Sequence, residues 1–237
     1  MKTEGRNAVY ELLKTEKNIE KLLLEKNPQG SLKAIFAEAR KRNIRVQFVD
    51  RMVLDKQSEE GRHQGVIAFS TDYEYSSLDD IISARKDSGG FVIVCDGIED
   101  VHNLGSIIRV AECAGADGVV IPSNNSASVT EAVIRISAGA ANHMKVAKVN
   151  SINRAVDELK KSGYWLYALE ADGEDIYSAD LTGNIAIVVG GEDSGVRKLT
   201  REKCDFTLSI PLNGKVNSLN ASVALGIAAY EAVRKRR

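Results

Sequence analysis

Residues 91–97, FVIVCDG, decide the fold. They form an apolar run of strand length closed by Asp96 and Gly97, and the same texture returns downstream. NLGSIIRVAECAGA (103–116), DGVVIP (117–122), VTEAVIRISAGA (129–140), MKVAKV (144–149), NRAVDELKKSG (153–163) and YWLYALE (164–170) follow in turn. Continuous apolar runs alternate with helical periodicity. A strand buried on both faces reads as uninterrupted hydrophobic sequence, so the alternation predicts an α/β fold with a mostly parallel sheet flanked by helices. It continues with a strand at 185–189, a helix over about 196–203, a strand at 206–210 and a C-terminal helix.

Towards the N-terminus the texture changes. Apolar spacing predicts helices over residues 7–13 and 18–24 and a third over 32–41 with Ser31 as its N-cap, then a short strand at 46–49. In GRHQGVIAF (61–69), Gly61 and Gly65 bracket a loop before an extended segment from Val66. These elements predict a small mixed α/β domain over residues 1–72. STDYEYS (70–76) has few aliphatic residues, which suggests a linker over 73–88 and a second domain over 89–237.

Composition narrows the function classes. The chain has 237 residues, 43% hydrophobic and 27% charged, as in a globular protein with a sizeable core. No apolar run reaches membrane-spanning length, and the charged N-terminus lacks a secretory signal, so a cytoplasmic location is expected. Cys95, Cys113 and Cys204 are far apart and read as buried free thiols; His63, His102 and His143 are too scattered for a metal site, and no metal is expected. The net charge of −1 conceals an asymmetry: residues 1–86 carry 16 basic against 14 acidic residues, the remainder 16 against 19. Lys33, Arg40, Lys41, Arg42, Arg45 and Arg51 are opposed locally only by Glu38 and Asp50, which reads equally as a solvated helix face or a phosphate-contacting surface. The terminal RKRR admits RNA binding, but basic residues there also complement the helix dipole.

In α/β sheets ligands bind at the C-terminal ends of strands, so the loops there matter most. The loop after residues 91–97 leads to Asn103, which reads as an N-cap, and to Arg109, which stands between apolar neighbours and so calls for an anionic or carbonyl partner. The loop after 185–189, GGEDSGVRK, has glycines that permit close backbone approach around Glu192, but it fits neither the phosphate-loop nor the dinucleotide fingerprint. The third, IPLNGKVNSLNASVALGIAAYEAV (210–233), gathers Ser218, Asn220 and Ser222 at a helix start. Ala221, Ala224, Gly226, Ala228 and Ala229 behind them permit close packing against the sheet or a second subunit.

Together the three loops resemble the motifs of the SpoU/TrmH branch of the SPOUT RNA methyltransferases. Asn103 and Arg109 stand six apart as in that family's first motif, and Gly190, Glu192 and Gly195 match its GxExxG loop. Residues 210–227 match IPxxGxVxSLNxSxAxGI. GRNAVYELL (5–13) and GRHQGVIAF resemble the L30e-like, ribosomal-protein-type RNA-binding domain of the subgroup that includes the bacterial enzyme methylating a guanosine ribose in 23S ribosomal RNA.

The resemblance implies a C-terminal α/β knot, a deep trefoil, although chains otherwise avoid knots. It implies a homodimer with S-adenosyl-L-methionine held by Gly190, Ile210 and Leu219, and 2′-O-methylation of a ribose in ribosomal RNA. Catalytic roles would fall to Asn103, Arg109, Glu192, Ser218 and Asn220. Arg109 would contact the reacting nucleotide; a guanidinium with a pKa above about 12 is a poor base, so phosphate binding or alkoxide stabilisation is the easier role. Asn103 and Glu192 would fix Arg109 and the ribose, with Ser218 and Asn220 positioning nucleotide and cofactor. Transfer RNA is the alternative substrate, and a non-catalytic RNA-binding module for ribosome assembly the alternative of another class. A nucleotide-binding oxidoreductase lacks its glycine fingerprint.

Overall fold

The computed structural model describes residues 1–15, 17–59, 61–71, 73–191 and 195–237. The chain divides into two compact units, Met1–Glu74 and Tyr75–Arg237.

The first unit runs β1 (Lys2–Glu4), α1 (Arg6–Leu12), β2 (Asn18–Glu25), α2 (Ser31–Lys41), β3 (Arg45–Val49), α3 (Arg51–Gln57) and β4 (Val66–Thr71). Its sheet has the order β1-β4-β2-β3; β2 and β3 are parallel and the other pairs antiparallel. Residues 18–24 are therefore strand, not the helix their spacing suggests. As an interior strand, β2 buries Leu22 and Leu24 on one face with Val9, Leu32 and Ile35, and Leu23 on the other with Leu54 and Ile67. Two-sided burial produces the same short apolar run in either conformation, and only neighbouring strands decide. Ser31 also departs from expectation: Gly30 occupies the cap position, and the Ser31 hydroxyl instead accepts from Arg6 Nη1 at 3.5 Å.

The second unit runs α4 (Leu78–Ser83), β5 (Phe91–Asp96), α5 (Val101–Cys113), β6 (Gly118–Pro122), α6 (Glu131–Ile136), a 3-10 turn (Ala140–Asn142), β7 (Val146–Val149), α7 (Ile152–Lys161), β8 (Trp165–Asp175), β9 (Ile185–Gly190), α8 (Lys198–Lys203), β10 (Phe206–Ser209) and α9 (Ala221–Lys235). The sheet order is β10-β8-β9-β5-β6-β7 and every neighbouring pair is parallel. This is the mostly parallel, helix-flanked sheet that the apolar runs predict; β5 and β9, at its centre, are buried at every position.

Residues 73–88 are more than a linker. Ser77 caps α4 in a reciprocal capping box with Asp80, and Leu78 and Ile81 enter the main core of the second unit. Helices α5 and α6 approach closely because α5 carries Gly105, where an added Cβ would stand 2.6 Å from Cγ2 of Ile136.

The cysteines only partly follow expectation. Cys95 is buried and Cys204 half-buried, each thiol pushed up to about 12 by burial, whereas Cys113 is exposed on α5. The basic C-terminus is occupied by its own chain. Arg234 pairs with Glu231, Lys235 donates to the carbonyls of Tyr177 and Ala179, and Arg236 donates to those of Gly90, Leu181 and Gly183. Among the described residues no helix is long and apolar enough to cross a membrane.

Candidate active site

The middle of β8, the C-terminal end of β9 and the segment between β10 and α9 enclose a cavity of about 200 Å³. Leu169 and Glu170 line it from β8, Val189, Gly190 and Gly191 from β9 and the residue after it, and Gly195 from the loop beyond. Ile210, Leu212, Asn217, Ser218 and Leu219 line it from the connecting segment, and Ala221 and Ala224 from the first turn of α9. Gly190, Ile210 and Leu219, the three residues expected to hold a cofactor, thus share one wall system, with Ser218 beside them.

The local sequence explains the geometry. At Gly190 an added Cβ would lie 1.9 Å from the carbonyl carbon of Gly195 and 2.2 Å from the nitrogen of Val196, so only glycine lets the returning chain lie against the strand. That return is pinned by two acids. Asp96, at the end of β5, accepts from the backbone N–H of Arg197 at 3.0 Å and has the Arg197 guanidinium 3.3 Å away, and Glu170 accepts from Val196 N at 2.5 Å. Residues 211–220 are all exposed, and among the described residues the main chain of 210–219 makes no backbone hydrogen bond. Such unpaired N–H and C=O groups beside a cavity are ready to meet a polar ligand.

Asn220 is the N-cap of α9: its Oδ1 accepts from the N–H groups of Ser222 at 3.0 Å and Val223 at 3.4 Å. Its Nδ2 donates to Oδ1 of Asn103 at 2.8 Å, which joins the first and third motifs across 117 positions of sequence. Asn103 is not itself a cap. Asp100 caps α5 by accepting from His102 and Asn103, and the largely buried Asn103 side chain meets Asn220 at the start of α9.

Arg109 is exposed on α5 rather than set against a buried face, and among the described residues it makes no hydrogen bond or ion pair. Asn103, Arg109 and Asn220 do not line the cavity. Glu192 lies outside the described residues. Glu170 is the charged member of the described lining residues that the sequence did not point to as a site residue; its place at the C-terminal end of an apolar run was the available signal.

Asn220→Ala removes both cap bonds and the tie to Asn103, and should lower stability by about 1–2 kcal/mol in thermal denaturation. Asn220→Asp, which keeps the capping oxygen and accepts from a reoriented Asn103 amide, should recover most of that loss; equal melting of the alanine variant and the unaltered chain would contradict the capping role.

Comparison with known proteins gives a consistent picture. Residues 90–230 match the SpoU rRNA Methylase family, and residues 3–76 match the domain described as RNA 2′-O ribose methyltransferase substrate binding. YacO of Bacillus subtilis (strain 168), assigned to the TrmH family of tRNA/rRNA methyltransferases, is 42% identical over 236 residues, covering 98% of this chain and 94% of that protein. Among solved structures, the SpoU methyltransferase AviRb from Streptomyces viridochromogenes in complex with AdoMet aligns with a TM-score of 0.63 at 23% identity, over 100% of this chain and 90% of that one. The AdoMet-bound rRNA methyltransferase from Sinorhizobium meliloti aligns with a TM-score of 0.62 at 23% identity, over 98% and 86%.

Proposed function

Because the chain belongs to the SpoU rRNA methylase family of RNA methyltransferases, we propose that it transfers a methyl group from S-adenosyl-L-methionine to a ribose 2′-hydroxyl of 23S ribosomal RNA, on a guanosine. The observation that carries this reading is the single cavity shared by Gly190, Ile210, Leu219 and Ser218. Its residues suit that cofactor: a glycine wall that a Cβ would fill, an open main chain over 210–219, and the Glu170 carboxylate as counter-charge for a cationic ligand. When bound, the cofactor supplies an electrophilic methyl group on a sulfonium.

The remaining work belongs to the chain. The main chain around Gly190, Ile210 and Leu219 holds the cofactor, and Ser218 orients the nucleotide beside it. Asn220, braced by Asn103, keeps the third motif in register with the first. Arg109 binds the phosphate or the developing 2′-alkoxide of the target, a role for a permanently charged fork rather than for a base. Glu192 is assigned to the same machinery from its motif position.

A homodimer fits this arrangement. Val223, Gly226, Ile227 and Tyr230 form one apolar stripe along α9, with Val223 and Tyr230 about half exposed, and Arg109 stands on the outward side of the neighbouring α5. A second copy against that stripe brings each Arg109 to a completed site. The threading of the third motif as a deep trefoil knot belongs to the same reading.

The test is to map 2′-O-methylated riboses in ribosomal and transfer RNA from cells with and without the gene. One site should vanish from ribosomal RNA. A site lost from transfer RNA alone reassigns the substrate, and no lost site in either RNA rejects the function.

A further inference from the structure

The strand registers of the first unit place four residues side by side across its sheet. Lys2 of β1 lies opposite Phe69 of β4, Phe69 opposite Lys21 of β2, and Lys21 opposite Arg45 of β3. Residues directly opposite share a face, so Lys2, Phe69, Lys21 and Arg45 form one transverse row spanning all four strands, about 14 Å from end to end.

The face is the one bearing α3. Two positions along the same strands, Leu23 and Ile67 pack with Leu54 of that helix, and Phe69 leans on their cluster. Helix α3 is only seven residues long, and at the row Phe69 remains partly exposed and Arg45 is exposed. The Lys21 ammonium stands 4.7 Å from the Phe69 ring centroid and that of Lys2 6.0 Å. Lys2 also binds Gln57 O at 2.9 Å and Glu59 at 2.8 Å, whereas among the described residues Lys21 and Arg45 have no hydrogen-bond or ion-pair partner.

We infer that this row is a binding site for single-stranded RNA, in which Phe69 stacks an unpaired base while Lys21, Arg45 and Lys2 hold the phosphates on either side. The inference rests on the reading of the chain as an RNA methyltransferase and adds which surface of the first unit meets the RNA, and in what form. Cations on a sheet face complement a polyanion, and a partly exposed aromatic ring between them offers a surface on which an unpaired base can stack. A duplex hides its base faces in the stack. The other aromatic and basic patch of this unit lies on the opposite, α2 face: Phe36 and Phe48 meet edge to face at 5.2 Å, with Arg40 over Phe36. There Phe48 is exposed but its ring is engaged by Phe36, and the cation over Phe36 stands on a helix rather than in a row across the strands.

The experiment titrates the full chain into fluorescein-labelled oligouridine, followed by anisotropy over a salt series, with cofactor binding and thermal melting as controls for folding. Phe69→Leu, which keeps the apolar packing on Leu23 and Ile67, should weaken binding about tenfold without altering the salt dependence. The Lys21→Ala/Arg45→Ala double variant should weaken it and flatten the slope of log K against log salt by roughly 1.4, the share of two phosphate contacts to a single strand. Arg40→Ala and competition by duplex RNA should have little effect. The row is overturned if its variants bind like the unaltered chain, if Arg40→Ala is equally damaging, or if duplex competes as strongly as single strand. Absence of oligouridine binding by the unaltered chain overturns the row alone, whereas the function on which it rests is rejected only by the loss of no methylated site from either RNA.

Discussion

Arg109→Ala should reduce methyl transfer to RNA by about 10²–10³-fold while leaving the affinity for S-adenosyl-L-methionine unchanged. The two effects separate because Arg109 lines no part of the cavity and is exposed on α5, so its loss neither opens the cofactor site nor leaves a void. Alanine is also the best helix former, and the fold should not suffer. In the proposed mechanism the variant loses the positive fork that meets charge on the ribose oxygen or its phosphate. Arg109→Lys keeps the charge without the planar pair of donors, so an intermediate rate is expected. Single-turnover transfer to RNA and calorimetric titration of the cofactor read the two quantities independently. Normal turnover by the alanine variant would remove Arg109 from the mechanism.

Gly190→Ala should have the largest effect on the cofactor. The added methyl would meet the carbonyl carbon of Gly195 at 1.9 Å, its oxygen at 2.1 Å and the nitrogen of Val196 at 2.2 Å, all main-chain atoms that cannot rotate away. The returning chain must lift off the strand, which strains the Glu170 and Asp96 bonds that pin it. Overpacking of this kind costs about 3 kcal/mol, or roughly 6–12 °C in melting temperature for a chain of this size. Cofactor binding should fall below detection in calorimetry. Gly214→Ala is the control: it lies between β10 and α9, outside the cavity lining, where a Cβ has nothing nearer than 4.0 Å, and both quantities should stay at their original values. A Gly190→Ala protein that melts and binds normally would show that the close approach is not needed.

The second unit was the more legible because its central strands, β5 and β9, are buried at every position, and a strand covered on both faces reads as a nearly continuous apolar run. Residues 91–97 and 185–189 announce themselves for that reason. In the first unit the same logic misled: residues 18–24 carry an apolar triplet that suits a helix or a two-sided strand, and only pairing with β3 and β4 separates them. Ser31 and Asn103 were misplaced as caps because Gly30 and Asp100, one and three positions earlier, take those posts. Arg109 reads as half-buried in a list of apolar neighbours, yet a helix turns 100° per residue and carries it to the outside.

By itself the sequence determined the parallel sheet, the order of its elements and the residue types at the strand ends, since burial and periodicity are properties of a residue and its near neighbours. It also determined the family, because three motifs with fixed internal spacing are rarely met by chance. Tertiary structure alone decided that Glu170 joins the wall shared by Gly190, Ile210 and Leu219, that Asn103 meets Asn220, and that Lys2, Phe69, Lys21 and Arg45 form one row. Contacts between positions tens of residues apart depend on strand order, register and the paths of connecting segments. Those are set by the summed packing of the whole unit and leave no local trace in the amino acids that make the contact.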